Sequence, residues 1–361
     1  MLAGCLGMLV LAAAGGCGGG SGGPTAPPAR PDAPSTAKNA AYAFLDGYTD
    51  PTGRVIRRDQ GGDTVSEGQA YAMLAAAAVG DPRRFDRIWG WTKSNLKRRD
   101  GLLAFHWQNG RVADPMPATD ADLDAARALL VAGCRFGRKD LNADAARIGR
   151  AILARETARV GSRRLLVAGP WARRGRVVVN PSYLDPTTLL GLGNATGNNA
   201  FAQVAADTRA AIAQVSGPLP PDWAVAGRGT LQAAGGPDGS GVPIYGFDAP
   251  RTLLRLAVDP SPDGRHIAAS AWGALRGPMR SASAIVPRHL DGSPAGEAEH
   301  PVALVGAAGS AAAAGDRRTA ARLLDAAAAL QRRAPTYYGA AVVALGRLML
   351  QSNLLDPGCR S

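Results

Sequence analysis

The sequence predicts an all-α protein built as an (α/α)6 barrel, a six-hairpin toroid, with a small β-hairpin insertion. Three observations lead there. Helical periodicity dominates residues 37–354. Caps and breakers divide that span into twelve segments. Twelve helices in six successive pairs suit a ring in which outer and inner helices alternate and the six inner ones run parallel. The chain has 361 residues, 46% of them hydrophobic, which is ample for the core of such a ring.

In order, the helices are expected at 37–48, 67–80, 82–97, 120–135, 140–156, 181–193, 198–215, 247–257, 265–281, 301–313, 316–330 and 337–352. The main strand signal is "RRLLVAGPWARRGRVVV" at 163–179, read as a hairpin with a Gly/Pro turn. The second helix opens on "SEGQ", where Ser66 as N-cap and Gln69 three residues on read as a capping box. Glu67 in its first turn suits the helix dipole. The fourth opens on "ATDADLD", with Thr119 as cap; Asp120 and Asp124 share a face and Asp122 points elsewhere. The sixth opens on "NPSY", with Tyr183. The eighth opens on Asp248, a plausible N-cap ahead of Pro250, which the first turn tolerates. "AEHP" starts the tenth, and "PTYYG", with Tyr337 and Tyr338, the twelfth. If the even-numbered helices are the inner ones, all these residues gather at one mouth of the ring.

The ends read differently. Residues 1–17 are apolar, too short to span a bilayer, and end in small residues at Cys17, which predicts a signal-type leader and export. Cys17 is the candidate for lipid attachment; the bland alternative is an unprocessed hydrophobic tail. Residues 18–36 form a Gly/Ser-rich then Pro-rich tether, 37–354 the folded domain, and 355–361 a tail. Cys134 and Cys359 are available to pair in an exported chain; the alternative is a helix thiol and a tail thiol. Net charge is +12, but the arginines are scattered singly or in pairs, without a basic stripe interleaved with aromatics. That pattern argues against nucleic-acid binding. The four histidines are dispersed, so no metal and no cofactor is expected.

Chemistry concentrates in the carboxylates. A helix N-terminus stabilises an anion by about 0.3–1 kcal/mol, the wrong direction for a proton donor. Burial against apolar or aromatic neighbours acts the other way and can be larger. Tyr71, one turn beyond Glu67, lies on its face. Arg251, three residues after Asp248, could hold a carboxylate ionised. Two carboxyl groups across a cleft, one protonated and one ionised, are what glycosidic hydrolysis needs. Six tryptophans offer flat rings for sugar faces, although Trp in an α-rich chain is usually core.

Along nearly the whole of 37–354 the chain resembles the family 8 glycoside hydrolases, bacterial endoglucanases and their relatives. The likeness is carried by "GRVIRRDQGGDTVSEGQAYAM", "FDRIWGWTKSNL", "LLAFHW", "ATDADLDAARALLVAGCRF", "NPSY", "PDW", "YGFDAPR" and "TYYGAA". The resemblance implies an (α/α)6 barrel and an inverting mechanism. By position it implies Glu67 as general acid, Asp248 as general base, and Asp120 as the aspartate that holds and distorts the sugar at the cleavage point. Tyr183 and Arg251 resemble water-orienting partners, and Trp107, Trp171, Tyr71 and Tyr338 are the remaining substrate-binding candidates. Pro250 stands where relatives have an aliphatic residue, and Phe105 where Trp is usual. The expected substrate is a β-1,4-glucan. Chitosan, mixed-linkage β-glucan or xylan is the alternative within the class, and a weakly active glycan-binding protein accessory to polysaccharide synthesis or export the alternative outside it. The chain is expected to act as a monomer.

Overall fold

A computed structural model describes residues 33–227 and 229–358; the leader, most of the tether, and Cys359 lie outside the described residues. Twelve helices form the architecture: α1 Ala33–Tyr48, α2 Ser66–Val79, α3 Pro82–Asn95, α4 Thr119–Arg135, α5 Lys139–Arg155, α6 Pro186–Thr196, α7 Ala200–Ala213, α8 Ala249–Ala257, α9 Pro262–Ser270, α10 Pro301–Ala313, α11 Arg317–Arg333 and α12 Tyr337–Gln351. A separate helical turn, Trp272–Leu275, follows α9. The first helix begins at Ala33 rather than at 37, with Pro34 in its first turn, where a missing N–H costs nothing.

Burial distinguishes inner from outer helices in α1–α4 and α8–α12, whereas α6 buries only 4 of its 11 residues. Helix α2 buries 12 of its 14 residues, α4 buries 15 of 17 and α10 buries 11 of 13. Helix α1 buries 4 of 16 and α3 buries 4 of 14, one stripe each. A helix apolar or small on every side belongs inside, and one with a single stripe belongs outside. The ring closes in sequence: α2 packs on α4, α4 on α6, α8 on α10, α10 on α12 and α12 on α2. The 3-10 turn Pro181–Tyr183, which precedes α6, packs on α8 and α4. Small residues permit the close approaches. A Cβ on Gly309 of α10 would lie 2.9 Å from the Leu253 carbonyl oxygen of α8.

Two local expectations are corrected. The capping box on α2 is not formed: Val65 is the N-cap, the Ser66 hydroxyl has no partner, and the Ser66 N–H donates to the Phe105 carbonyl at 2.9 Å. Gln69 turns instead toward the preceding loop, accepting from the Val55 N–H (2.5 Å) and donating to the Thr92 hydroxyl (2.9 Å). The hairpin expected across 163–179 is also re-paired. Strand β4, Thr157–Val160, pairs with β5, Arg163–Leu166, around a two-residue turn led by Gly161 at φ 60. A glycine in that position fits a tight hairpin. Pro170 opens a 3-10 turn through Arg173, and β6, Val178–Val179, joins β7, Trp223–Gly227, and β8, Thr230–Ala234. A third small sheet joins β1, Thr64–Val65, to β2, His106–Gln108, and β3, Arg111–Asp114.

The sixth segment is divided. "NPSY" forms the 3-10 turn, and α6 begins only at Pro186, capped by the Asp185 side chain, which accepts from the Thr188 N–H. Cys134 is disulfide-bonded, and every other cysteine of the chain lies outside the described residues. Among the described residues, no helix is long and apolar enough to cross a membrane.

Candidate active site

The starts of the inner helices meet around one guanidinium. Arg251, 5% exposed in the first turn of α8, lies 3.4 Å from Glu67 Oε2 of α2, 3.3 Å from Asp120 Oδ2 of α4 and 2.6 Å from Asp248 Oδ1. It also donates to the Tyr71 hydroxyl at 2.8 Å and to Ser182 Oγ at 3.2 Å. The rings of Tyr183 and Tyr338 lie 5.8 and 6.0 Å from its carbon. His300, whose ring caps α10 by accepting from the Val302 N–H, stacks on Tyr338 at 5.3 Å. All six inner-helix starts, with the 3-10 turn standing in for α6, therefore contribute to one end of the barrel.

The pairing has a helical reason. Arg251 and Arg255 are four apart on α8, and Asp120 and Asp124 are four apart on α4, so each pair lines one face. The helices face each other as a two-rung ladder, Arg251 with Asp120 at the mouth and Arg255 with Asp124 (3.0 and 2.7 Å) one turn deeper. Asp185 extends the deeper rung, meeting Arg255 at 3.2 Å and Arg127 at 3.1 Å. Asp122 does point elsewhere: its Oδ1 accepts from the Leu103 N–H at 2.9 Å.

Burial, opposed by Arg251 and reinforced by the Glu67 charge, pushes the Asp120 carboxyl up to about 7. Its Oδ1 accepts from the Ala121 N–H, while Oδ2 has no hydrogen-bond partner. A carboxyl poised near neutrality, beside Glu67 and with Oδ2 held only by its 3.3 Å contact with Arg251, can serve a hydroxyl as donor or acceptor. Asp248 does not cap its own helix. Its Oδ2 accepts from Asn180 Nδ2 at 2.9 Å and its Oδ1 from Arg251, so the carboxylate is held from two sides at the mouth, its side chain 30% exposed.

The other candidates divide. Tyr71 is fully buried, with its hydroxyl on Arg251, so it positions the guanidinium and does not present a ring to a substrate. Tyr183 packs edge-on to Trp223 at 6.5 Å, and the Tyr338 hydroxyl donates to the Phe247 carbonyl at 2.9 Å. Trp171 stands 41% exposed on the 3-10 turn near the start of α4. Trp107 lies edge-on to Trp91 with the Arg54 guanidinium 4.3 Å over its ring. Pro250 is accommodated: it falls in the first turn of α8, and the facing position on α10 is Gly306, whose added Cβ would lie 2.5 Å from the Pro250 Cβ.

Several participants carried no assignment from sequence, although they lie inside quoted motifs. Asn180 and Ser182 of "NPSY" hold Asp248 and Arg251. Phe247 of "YGFD", 42% exposed, gives the α8 side of the mouth an aromatic face, its ring 5.4 Å from that of His300. Asp222 of "PDW" accepts from the N–H groups of Gly246, Asp248 and Ala249 at 3.0, 3.2 and 2.7 Å. Their signal was the motif itself; their roles depend on contacts across 24 to 69 residues of chain.

Residues 32–265 match the profile of Glycosyl hydrolases family 8. A "Probable endoglucanase" of Novacetimonas hansenii is 37% identical over 218 residues, 57% of this chain and 63% of the relative. An endoglucanase of Cellulomonas uda is 30% identical over 223 residues, 58% of this chain and 60% of the relative. The chain thus spans about three fifths of the length of these curated relatives. In three dimensions the endo-β-1,4-glucanase of Acetobacter xylinum superposes with a TM-score of 0.72 at 28% identity, covering 87% of this chain and 97% of that one. A β-1,3-1,4-glucanase of Paenibacillus sp. X4 gives 0.76 at 21% identity, covering 88% and 92%, a likeness of fold.

Proposed function

The chain belongs to family 8 of the glycosyl hydrolases, and from that premise we propose that it is an inverting, endo-acting hydrolase of β-1,4-glucan chains. The observation that carries this reading is the convergence of Glu67, Asp120 and Asp248 on Arg251 at one end of the barrel. In the proposed reaction Glu67 gives its proton to the departing glycosidic oxygen. Asp248 takes a proton from a water that attacks the anomeric carbon from the opposite face, inverting its configuration. Asp120 grips a hydroxyl of the sugar at the cleavage point and favours its distorted ring. Arg251 and Asn180 hold the Asp248 carboxylate from two sides and aim it. Through their common contact with Arg251, the nearest oxygens of Glu67 and Asp248 are no more than about 8 Å apart, compatible with room for the water that inversion requires.

Trp171 and Phe247 are proposed as sugar platforms at the rim. The β-1,4-glucan assignment leans on the endoglucanase relatives, and a panel including chitosan, mixed-linkage β-glucan and xylan tests it. Glu67→Gln and Asp248→Asn should each abolish release of reducing ends from carboxymethylcellulose. Wild-type turnover in either variant would refute the assignment of roles. NMR of the first products should show the α-anomer; the β-anomer would refute the single-displacement step.

A further inference from the structure

The amide groups at the start of α8 pose a question that Asp248 does not answer. The first N–H groups of a helix have no partner within it, and an aspartate at the N-cap usually accepts from one with its own carboxylate. Asp248 occupies that position without making the bond. The partner comes from elsewhere: Asp222 Oδ1 accepts from Ala249 N (2.7 Å), Gly246 N (3.0 Å) and Asp248 N (3.2 Å). Asp222 is fixed in turn by its own N–H, which donates to the Ile244 carbonyl at 2.9 Å, and by its place at the start of β7. Gly246 gives it room, because a Cβ there would overlap Asp222 Oδ2. Strand β7 pairs with β6, which leads directly into Asn180, the second brace of Asp248. One small sheet therefore holds both the backbone and the carboxylate of Asp248.

We propose that Asp222 is the positioning residue for Asp248: it caps α8 in that residue's place and leaves the Asp248 carboxylate free to face the cleft. The proposal rests on Asp248 being the general base. Burial first, and then the Asp248 charge, push the Asp222 carboxyl up to about 7, so the two acids sense each other. Other groups face the pair. Arg251 lies on α8, Glu67 and Asp120 share that guanidinium from α2 and α4, and Tyr183, Tyr245 and Tyr338 complete the surround.

The test is Asp222→Ala, which removes the acceptor oxygen that the three amides share. Its kcat on carboxymethylcellulose should fall roughly ten- to hundred-fold with KM altered less than about three-fold, as expected for a base displaced by a fraction of an ångström. Asp222→Asn keeps one acceptor oxygen for the amides and should recover most of that loss. Should Asp222→Ala not fold, Gly246→Ala displaces the same carboxylate and should lower kcat in the same way. Asp248→Asn is the control: an active control overturns the base assignment itself. With the control inactive, unchanged kcat in a folded Asp222→Ala or a folded Gly246→Ala overturns the proposal.

Discussion

Replacing Arg251 by Met tests whether the site is organised as one buried charge cluster. The guanidinium is the cation shared by Glu67, Asp120 and Asp248, and it is almost wholly buried. Removing one member of a buried ion pair costs about 3–5 kcal/mol, because the remaining charge stays desolvated without its partner. For a domain of this size that corresponds to a melting temperature lower by roughly 4–8 °C. The loss should depend on pH. Asp120, raised to about 7, is largely protonated at pH 5 and has little need of the cation; at pH 8 it is ionised. Arg251 is the largest influence opposing burial there, so its removal drives that carboxyl further above its unfolded value. A carboxyl raised in the folded state favours folding at low pH and loses that contribution as pH rises toward the folded pKa. Differential scanning calorimetry at pH 5 and pH 8 should therefore show the greater loss at pH 8. Arg251→Lys should recover part of that loss without restoring turnover, since an ammonium cannot span three carboxylates as the planar fork does. An equal drop at both pH values would refute the shared-cluster reasoning.

Three further outcomes follow from the packing. Asp122 and Glu156 are fully buried carboxyls, both pushed well above the ordinary range by burial first. The folded state thus retains protons that the unfolded state releases above about pH 4, and Asp122→Asn with Glu156→Gln should flatten the fall in melting temperature between pH 5 and pH 8; an unchanged slope would exclude the pair as its source. Gln69→Leu leaves the Val55 N–H buried without its acceptor and should cost about 2–3 kcal/mol, read from the urea midpoint. Gly306→Ala drives a methyl against Pro250 and the Tyr245 hydroxyl, at 2.5 and 2.7 Å, and should lower kcat about ten-fold by shifting α8. Wild-type turnover there would show that the α8–α10 contact does not set the position of Asp248.

How far the site could be read depended on the distance over which each contact acts. Glu67, Asp120 and Asp248 were identifiable because each sits at a helix start and all three starts share a parity. The face shared by Asp120 and Asp124 follows from the 3.6-residue turn alone. Ser66 and Gln69 show where that reasoning stops. Their spacing satisfies a capping box, yet the Ser66 N–H is used by the Phe105 carbonyl and Gln69 is drawn to the loop at 53–55 and to α3. The strand signal at 163–179 was sound for both of its halves, but the half at 178–179 found its partner some 45 residues later.

Periodicity and caps along the chain locate the helical segments, except that the sixth and ninth are broken, and they place acids at the starts of alternate helices. Periodicity and caps are local, set within a few residues, so they survive in one dimension. Tertiary structure alone decided which polar group satisfies which. It placed Arg251 among three carboxylates from three helices, opened room for Pro250 with a glycine on another helix, and gave the cap of α8 to Asp222, 26 residues before Asp248. A buried hydrogen bond is chosen by geometry among all groups that packing brings within about 3 Å, and that choice leaves no period in the chain to read.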